Sequence, residues 1–321
     1  MVLSQIIVFL ILLLLSLVYH RLAKRFGIVD KPNHRSSHLD VTVRGGGIIF
    51  PCAAVLWWFS HDFQHTWMVI GLLWVAAVSM LDDIYSLSGK LRMLVQFIAL
   101  SMAFFDLGLF DQVELWHLPF LYFIGLGILN AINFMDGING ISGLYAAVFF
   151  STILAVNTYL PIFEINLINY EMLAIAVFLI FNLRKKAIMF AGDIGSISLG
   201  YLMIYYLTDW YLQSGDWTII ILLMVYGMDA FLTLANRIRK REDIGEPHRS
   251  HLYQLLVNKA KAPHVLIALA YAGIQLGINI VFFILPQSTP SPYLASVILV
   301  AAAIIYLGGK TFVERRFATG S

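Results

Sequence analysis

The chain has 321 residues, 60% of them apolar and only 12% charged, with a mean hydropathy of +0.81. This balance excludes a water-soluble globular domain and marks a polytopic integral membrane protein, all-α in class. At a formal net charge of +2 no nucleic-acid partner is expected, and the single cysteine, Cys52, excludes an intrachain disulfide.

Apolar runs measured against the ~20 residues needed to cross a bilayer predict eleven transmembrane helices, at 3–20, 45–60, 67–81, 92–105, 118–135, 141–160, 170–183, 195–208, 217–236, 264–285 and 292–308. The first could be mistaken for a signal peptide. However, Met1–Gln5 carries no positive charge, no small-residue cleavage site follows, and Arg21, Lys24 and Arg25 come after the run. An uncleaved first span with an outward N-terminus is expected. The seventh run is short and begins at Glu171. No compositional break, repeat or low-complexity segment divides the chain, so a single membrane domain over 1–321 is expected.

With connections alternating sides, all 21 Lys and Arg fall on one side, in 20–44, 82–92, 184–194, 236–262 and 309–321. The opposite connections carry only acids: Asp62, Asp106, Asp111, Glu114, Glu164, Glu171, Asp209 and Asp216. The positive-inside rule then places the N-terminus outside and the C-terminus in the cytoplasm. Topology accounts for most of the cations but not for the acids that share their side.

Five polar junctions fall on that side. The first runs from Asp30-Lys31-Pro32-Asn33-His34-Arg35 to Arg44-Gly45-Gly46-Gly47, and the second is Asp82-Asp83 with Lys90 and Arg92. The third, Asn130 to Gly143, packs three asparagines, Asp136 and three glycines between two apolar runs. The fourth runs from Asn182 through Arg184-Lys185-Lys186 to Gly192-Asp193-Ile194-Gly195-Ser196, and the fifth ends in Pro247-His248-Arg249-Ser250-His251. A bilayer penalises such groups unless they face partners. Carboxylates and asparagine oxygens suit Mg²⁺, which takes one or two carboxylates plus substrate phosphate. Lysine, arginine and histidine around them suit a diphosphate. The glycines at helix starts can present N–H groups to phosphate or base. Zinc is disfavoured, because no cysteine and few carboxylates accompany the histidines. Asp229, inside the ninth span, has no assigned role.

With these motifs in this order from Asp30 to Gln254, the chain resembles the polyprenyl-phosphate N-acetylhexosamine-1-phosphate transferase superfamily (glycosyltransferase family 4). Its members include undecaprenyl-phosphate GlcNAc-1-phosphate transferases and phospho-N-acetylmuramoyl-pentapeptide transferase. DKPNxRxxH with GGG, the aspartate pair with Lys90, NAINFMDGINGISG, FN then AGDIGS, and PHRSHLYQ carry the resemblance.

The resemblance implies an enzyme that moves a sugar-1-phosphate from a UDP-sugar donor to a membrane polyprenyl phosphate and releases UMP. It implies Mg²⁺ (Mn²⁺ as an alternative) held by Asp193 with Asn133. It implies that Asp82 and Asp83 activate or position the lipid phosphate, that Lys90 contacts phosphate, and that His248, Arg249 and His251 form a basic loop over the diphosphate. Gly137, Asn139 and Asn182 match positions around the uridine, and Lys31 and Arg44 are nucleotide-side contacts. Asp136 is grouped with the catalytic residues without a step of its own. The implied setting is the bacterial inner membrane with the site facing the cytoplasm; a homodimer is allowed.

Three departures shape the expected substrate. Asn139 stands where bacterial members commonly have aspartate, Val43 where many have proline, and PHRSH where the muramoyl-pentapeptide enzymes have three histidines. The last points away from peptidoglycan lipid I and towards priming of O-antigen or another surface glycan. UDP-GlcNAc is the expected donor, with a UDP-QuiNAc or UDP-FucNAc sugar as alternative. The rival class, an ion-coupled transporter, places its sites near mid-bilayer, often with inverted repeats. Here the motif carboxylates fall at cytoplasmic helix ends and no repeat is detected.

Overall fold

The computed structural model describes residues 2–30, 41–243 and 249–317. Helix α1 (Val2–Phe26) leads into an antiparallel ladder of β1 (Val29–Asp30) on β2 (Thr42–Val43), with Val29 opposite Val43 and Asp30 opposite Thr42. After a 3₁₀ turn at Gly46–Ile48 come α2 (Ile49–Ser60), α3 (Thr66–Tyr85), α4 (Gly89–Asp106), the short α5 (Leu109–Gln112) and α6 (Leu118–Met135). Next are α7 (Ile141–Val156), α8 (Ile165–Asn182) and α9 (Gly192–Ser214). A 3₁₀ stretch, Trp217–Leu223, runs into α10 (Met224–Arg239). The short α11 (Leu252–Asn258), α12 (His264–Asn279) with a π turn at Ile280–Ile284, and α13 (Pro292–Arg316) follow.

Every one of the eleven apolar runs contains a helix. Among the described residues, seven helices are long and apolar enough to cross a membrane: Leu3–Phe26, Thr66–Tyr85, Leu115–Met135, Ile165–Asn182, Trp217–Arg239, His264–Ile284 and Pro292–Arg316. Gly46–Ser60 and Ile141–Val156 are shorter apolar helices. This is an all-α membrane protein. One expectation changes: α8 begins at Ile165, so Glu171 lies inside the helix and not in an outer connection. It is fully buried, and neither carboxyl oxygen has a hydrogen-bond partner among the described residues.

The packing follows from which helices are apolar all round. Helix α9 is buried almost without interruption from Ile194 to Leu207, as a helix without a polar face must be when other helices surround it. It packs on α3 and α6. Peripheral α1 and α13 instead expose Leu3, Leu10, Leu14, Val300, Ile304 and Ile305, side chains suited to lipid.

Where the 3₁₀ stretch gives way to α10, backbone groups lose their helical partners and would be orphaned in an apolar core. Gln275 of α12 meets them: its Nε2 donates to the Ile221 carbonyl (2.9 Å) and its Oε1 accepts from Val225 N (2.9 Å) and the Tyr145 hydroxyl (2.7 Å). Nε2 also donates to Asn279 Oδ1 (2.8 Å), and Asn279 Nδ2 donates to Thr152 Oγ1 (2.9 Å). The Tyr145 ring stacks on Tyr226 with centroids 3.6 Å apart. Replacing Gln275 with leucine strands the Ile221 and Val225 groups at about 1–3 kcal/mol. A thermal-unfolding scan in detergent should show a lower Tm for Gln275→Leu; an unchanged Tm would count against this account of the break.

Candidate active site

One end of the bundle is stitched together by backbone. Phe190 N donates to the Val43 carbonyl (2.8 Å), while Gly46 N and Gly47 N donate to the carbonyls of Phe190 (2.8 Å) and Ala191 (3.0 Å). The glycine amides that the sequence offers to a ligand are thus spent on joining β2 to the start of α9. At that start, Gly192 has φ +72°, and a Cβ there would collide with the Asp83 carboxylate. Only glycine lets the chain enter α9 with a carboxylate packed against its first turn.

Asp83 occupies that space as a cap. Its side chain has no exposed surface; it accepts from Asp193 N (3.0 Å) and Ile194 N (3.3 Å) and pairs with Arg44 Nε at 2.7 Å. Arg44 is fixed in turn, its N–H donating to the Ile28 carbonyl (3.2 Å) and its carbonyl accepting from Tyr19 Oη (2.7 Å). Its guanidinium reaches Asp193 at 3.5 Å. Burial works against the Arg44 charge, but Asp83, Asp193, Asp30 and Asp82 outweigh it and hold its pKa above the usual value.

Asp82 faces the next cation along. Its carboxylate accepts from Leu87 N (2.6 Å), closing the end of α3, and from Arg92 Nη1 at 2.8 Å. The same nitrogen lies 3.9 Å from Asp193. Lys90, the cation singled out in the sequence, is exposed in the first turn of α4, which Ser88 caps through Leu91 N (3.3 Å). Arg92, two residues on, is the side chain that engages the aspartates, although the family motif gives the phosphate contact to Lys90.

Asp82, Asp193 and Arg92 line a small cavity of about 10 Å³ with Ser79, Gln96, Asn130 and Asn133. Among the described residues no three His, Cys, Asp or Glu side chains form a ready-made metal site. Two carboxylates plus neutral amide and hydroxyl oxygens do suit a hard cation that completes its shell with phosphate and water. The donor set therefore fits Mg²⁺, with Asp82 and Asp193 as anionic ligands and Asn133 beside them.

The polar stretch forms the turn between α6 and α7. Asp136, just past the end of α6, is half-buried, and its pKa is pushed up to about 6 by burial. Ser142 and Arg44 oppose the rise, and Asp83 adds to it. Asn139 is buried and works as a clasp, its Nδ2 donating to the carbonyls of Arg184 (2.8 Å) and Lys185 (3.4 Å). Asn182 is a second clasp: Oδ1 accepts from Gly140 N (2.6 Å) and Nδ2 donates to the Met189 carbonyl (2.8 Å). The Asn139 amide nitrogen and both polar ends of Asn182 are thus committed within the chain.

Gly137 is needed for close approach. A Cβ there would run into the Tyr253 hydroxyl, which donates to the Phe134 carbonyl at 2.9 Å. This contact docks the segment carrying Arg249 and His251 on the end of α6. His251 caps α11 and lies with Nδ1 3.2 Å from Asp229. Lys31 and His248 lie outside the described residues.

What the fold and the cluster define is a multi-pass membrane protein whose carboxylates, arginines and histidine segment meet at one end of the helices. Residues 65–211 match the family described as glycosyl transferase family 4. Among curated relatives, a probable undecaprenyl-phosphate N-acetylglucosaminyl 1-phosphate transferase of Bacillus subtilis (strain 168) is 28% identical over 281 residues, 80% of this chain and 77% of the relative. The undecaprenyl-phosphate alpha-N-acetylglucosaminyl 1-phosphate transferase of Escherichia coli (strain K12) is 27% identical, over 83% of this chain and 79% of its own. Its Salmonella typhi counterpart is also 27% identical, over 87% and 83%. These likenesses support the resemblance to the polyprenyl-phosphate N-acetylhexosamine-1-phosphate transferase superfamily.

The Asn139 clasp bears on the departure seen at that position. Aspartate there would set a carboxylate against two carbonyl oxygens, which accept and cannot donate. Asn139→Asp should therefore destabilise the protein by about 1–3 kcal/mol, read as a lower Tm in detergent. A Tm equal to the parent's would show that the clasp contributes nothing.

Proposed function

We propose that this protein transfers N-acetylhexosamine-1-phosphate from a UDP-sugar, UDP-GlcNAc first among them, to undecaprenyl phosphate. The observation that carries the reading is the convergence of Asp82, Asp83 and Asp193 with Arg44 and Arg92 beside the 133–143 turn. Two anions must meet for this reaction, so a site for it has to concentrate positive charge around metal-ligating carboxylates. The names of the relatives support the acceptor and the sugar.

An oxygen of the lipid phosphate attacks the sugar-bearing phosphorus, and the bond from that phosphorus to the UMP oxygen breaks. The products are undecaprenyl-diphosphate-sugar and UMP, with charge conserved. A phosphate monoester whose second pKa is near ~6 is mostly dianionic at neutral pH, so direct attack needs no base and no aspartyl intermediate. Asp82, Asp193 and Asn133 would hold Mg²⁺, which when bound neutralises the diphosphate. Arg92, at 2.8 Å from Asp82, would orient the acceptor phosphate, and Lys90, exposed in the first turn of α4, keeps the phosphate contact implied by the family motif. Arg44 and Asp83 keep α9 and Asp193 in place. Arg249, His251, His248 and Lys31 keep the roles implied by the family motif, the first three as a basic loop over the diphosphate. Gly137 admits Tyr253 against the turn on the nucleoside side, and Asn139 and Asn182 shape the nucleoside pocket by holding the 182–190 segment. Asp136, near Asp83 and Arg44, tunes this field.

All eleven helices are proposed to cross the bacterial inner membrane, N-terminus outside and C-terminus inside, with the site at the cytoplasmic surface. There the enzyme would prime O-antigen or another surface glycan. The PHRSH segment favours this branch over peptidoglycan, and UDP-QuiNAc or UDP-FucNAc is the alternative donor. Ion-coupled transport is disfavoured because the motif carboxylates Asp82, Asp83 and Asp193 lie at helix ends.

Purified protein, undecaprenyl phosphate and a panel of UDP-HexNAc donors should release UMP, most rapidly with UDP-GlcNAc. EDTA should abolish release and Mg²⁺ restore it, and Asp82→Asn should lose about 100-fold or more in kcat while the protein still folds. Turnover in EDTA, or near-parent rates for Asp82→Asn, would remove the assigned metal and phosphate roles. For topology, an N-terminal tag on intact cells should be reachable by an impermeant reagent and a C-terminal tag should not; the reverse pattern would put the site on the wrong face.

A further inference from the structure

Asp229 lies in α10, fully buried, and belongs to none of the five polar junctions. The structure surrounds its carboxylate with donors from four helices. Oδ1 accepts from Leu252 N (2.9 Å), Tyr306 Oη (2.8 Å) and Thr233 Oγ1 (3.4 Å), and Oδ2 from Tyr271 Oη (2.7 Å) and Tyr253 N (3.3 Å). His251 Nδ1 lies 3.2 Å from Oδ1 and 3.3 Å from the Asp229 carbonyl. Both neighbours of that nitrogen are acceptors, so Nδ1 carries a proton directed at Asp229, which fixes the orientation of the ring. A ring whose tautomer and orientation are fixed by a buried carboxylate is prepared for a defined role.

The contacts reach further in two directions. On one side, Tyr253 carries the clamp to the end of α6 through its hydroxyl on the Phe134 carbonyl, one residue from Asn133. On the other, α13 closes the cluster: Tyr306 bonds Asp229 directly, and buried Lys310 donates to Thr233 Oγ1 at 2.6 Å, itself 3.1 Å from Tyr306 Oη. A carboxylate this deep is retained only where its donors replace lost water. The donors chosen here are the two amides that open α11 and the ring of His251.

We propose that Asp229 is a positioning residue of the transfer reaction: it fixes the tautomer and place of His251 and seats the start of α11 against α6. Tyr306 and Lys310 of α13 complete the clamp, so the last helix supports the site as well as spanning the membrane. The proposal rests on the role given to His251 under the proposed function.

Asp229→Asn is the discriminating variant. Either orientation of the amide aims its NH₂ at a backbone N–H, that of Leu252 or that of Tyr253, so rotation offers no escape. Hydrogen exchange in detergent should show the Leu252 and Tyr253 amides opening about tenfold faster, with α3 and α9 unchanged. Displacing a catalytic ring by a fraction of an ångström should lower kcat by about 10–100-fold while the donor KM stays within about threefold. Tyr306→Phe and Lys310→Met, which keep the carboxylate, should show the same pattern at smaller amplitude.

Unchanged exchange at Leu252 and Tyr253 overturns the clamp, and faster exchange with parental kcat overturns the positioning role. If Asp229→Asn does not fold, parental exchange and kcat in both α13 variants overturn the proposal. If the parent protein turns over no UDP-sugar, the functional reading fails, and the exchange measurement still decides whether Asp229 holds the His251 segment.

Discussion

A carboxylate taken out of water costs several kcal/mol unless donors replace the water it loses, and the active end of this bundle is built around meeting that demand. Asp83 receives the first amides of α9 and Arg44; Asp82 receives Leu87 N and Arg92. Asp193 lies between the two arginines, and Asp229 receives the first amides of α11. Each acid thus fixes the end of one element against another. The requirement that makes these residues costly to bury also sets where α3, α9, α10 and α11 meet.

It follows that folding and chemistry are not separable residue by residue. Asp82 and Asp83 are adjacent in sequence, yet they face different work. Asp83 is enclosed by α9 and Arg44, whereas Asp82 lines the small cavity with Asp193 and Asn133. Loss of activity on replacing Asp83 would report the seating of α9 before it reported any contact with substrate.

The helical segments and the gathering of motifs at one end were legible in the sequence, because hydropathy and the order of polar junctions depend on chain position alone. What was not legible depends on which lone pair meets which N–H across more than a hundred residues. Lys90 and Arg92 look alike two positions apart, and only the direction of α4 decides that Arg92 reaches Asp82. The glycines at 46 and 47 look like ligand cradles until their amides are found on Phe190 and Ala191. Glu171 reads as a connection residue because a short apolar run hides the first turns of α8. Asp229 has no local signature, since its donors come from residues 233 to 306.

The Asn139–Gly140 step has a chemical consequence of its own. Asparagine followed by glycine is the peptide sequence most open to spontaneous deamidation, because an unhindered glycine nitrogen can attack the preceding side-chain amide. Here the Gly140 N–H is donated to Asn182 Oδ1 at 2.6 Å, and the Asn139 amide is tied to the Arg184 carbonyl at 2.8 Å. The nucleophile and its target are held by separate partners, so ring closure to the succinimide has to wait for the turn to open. The native turn thereby protects its own most perishable bond, and deamidation at Asn139 becomes a clock for how often this part of the molecule unfolds.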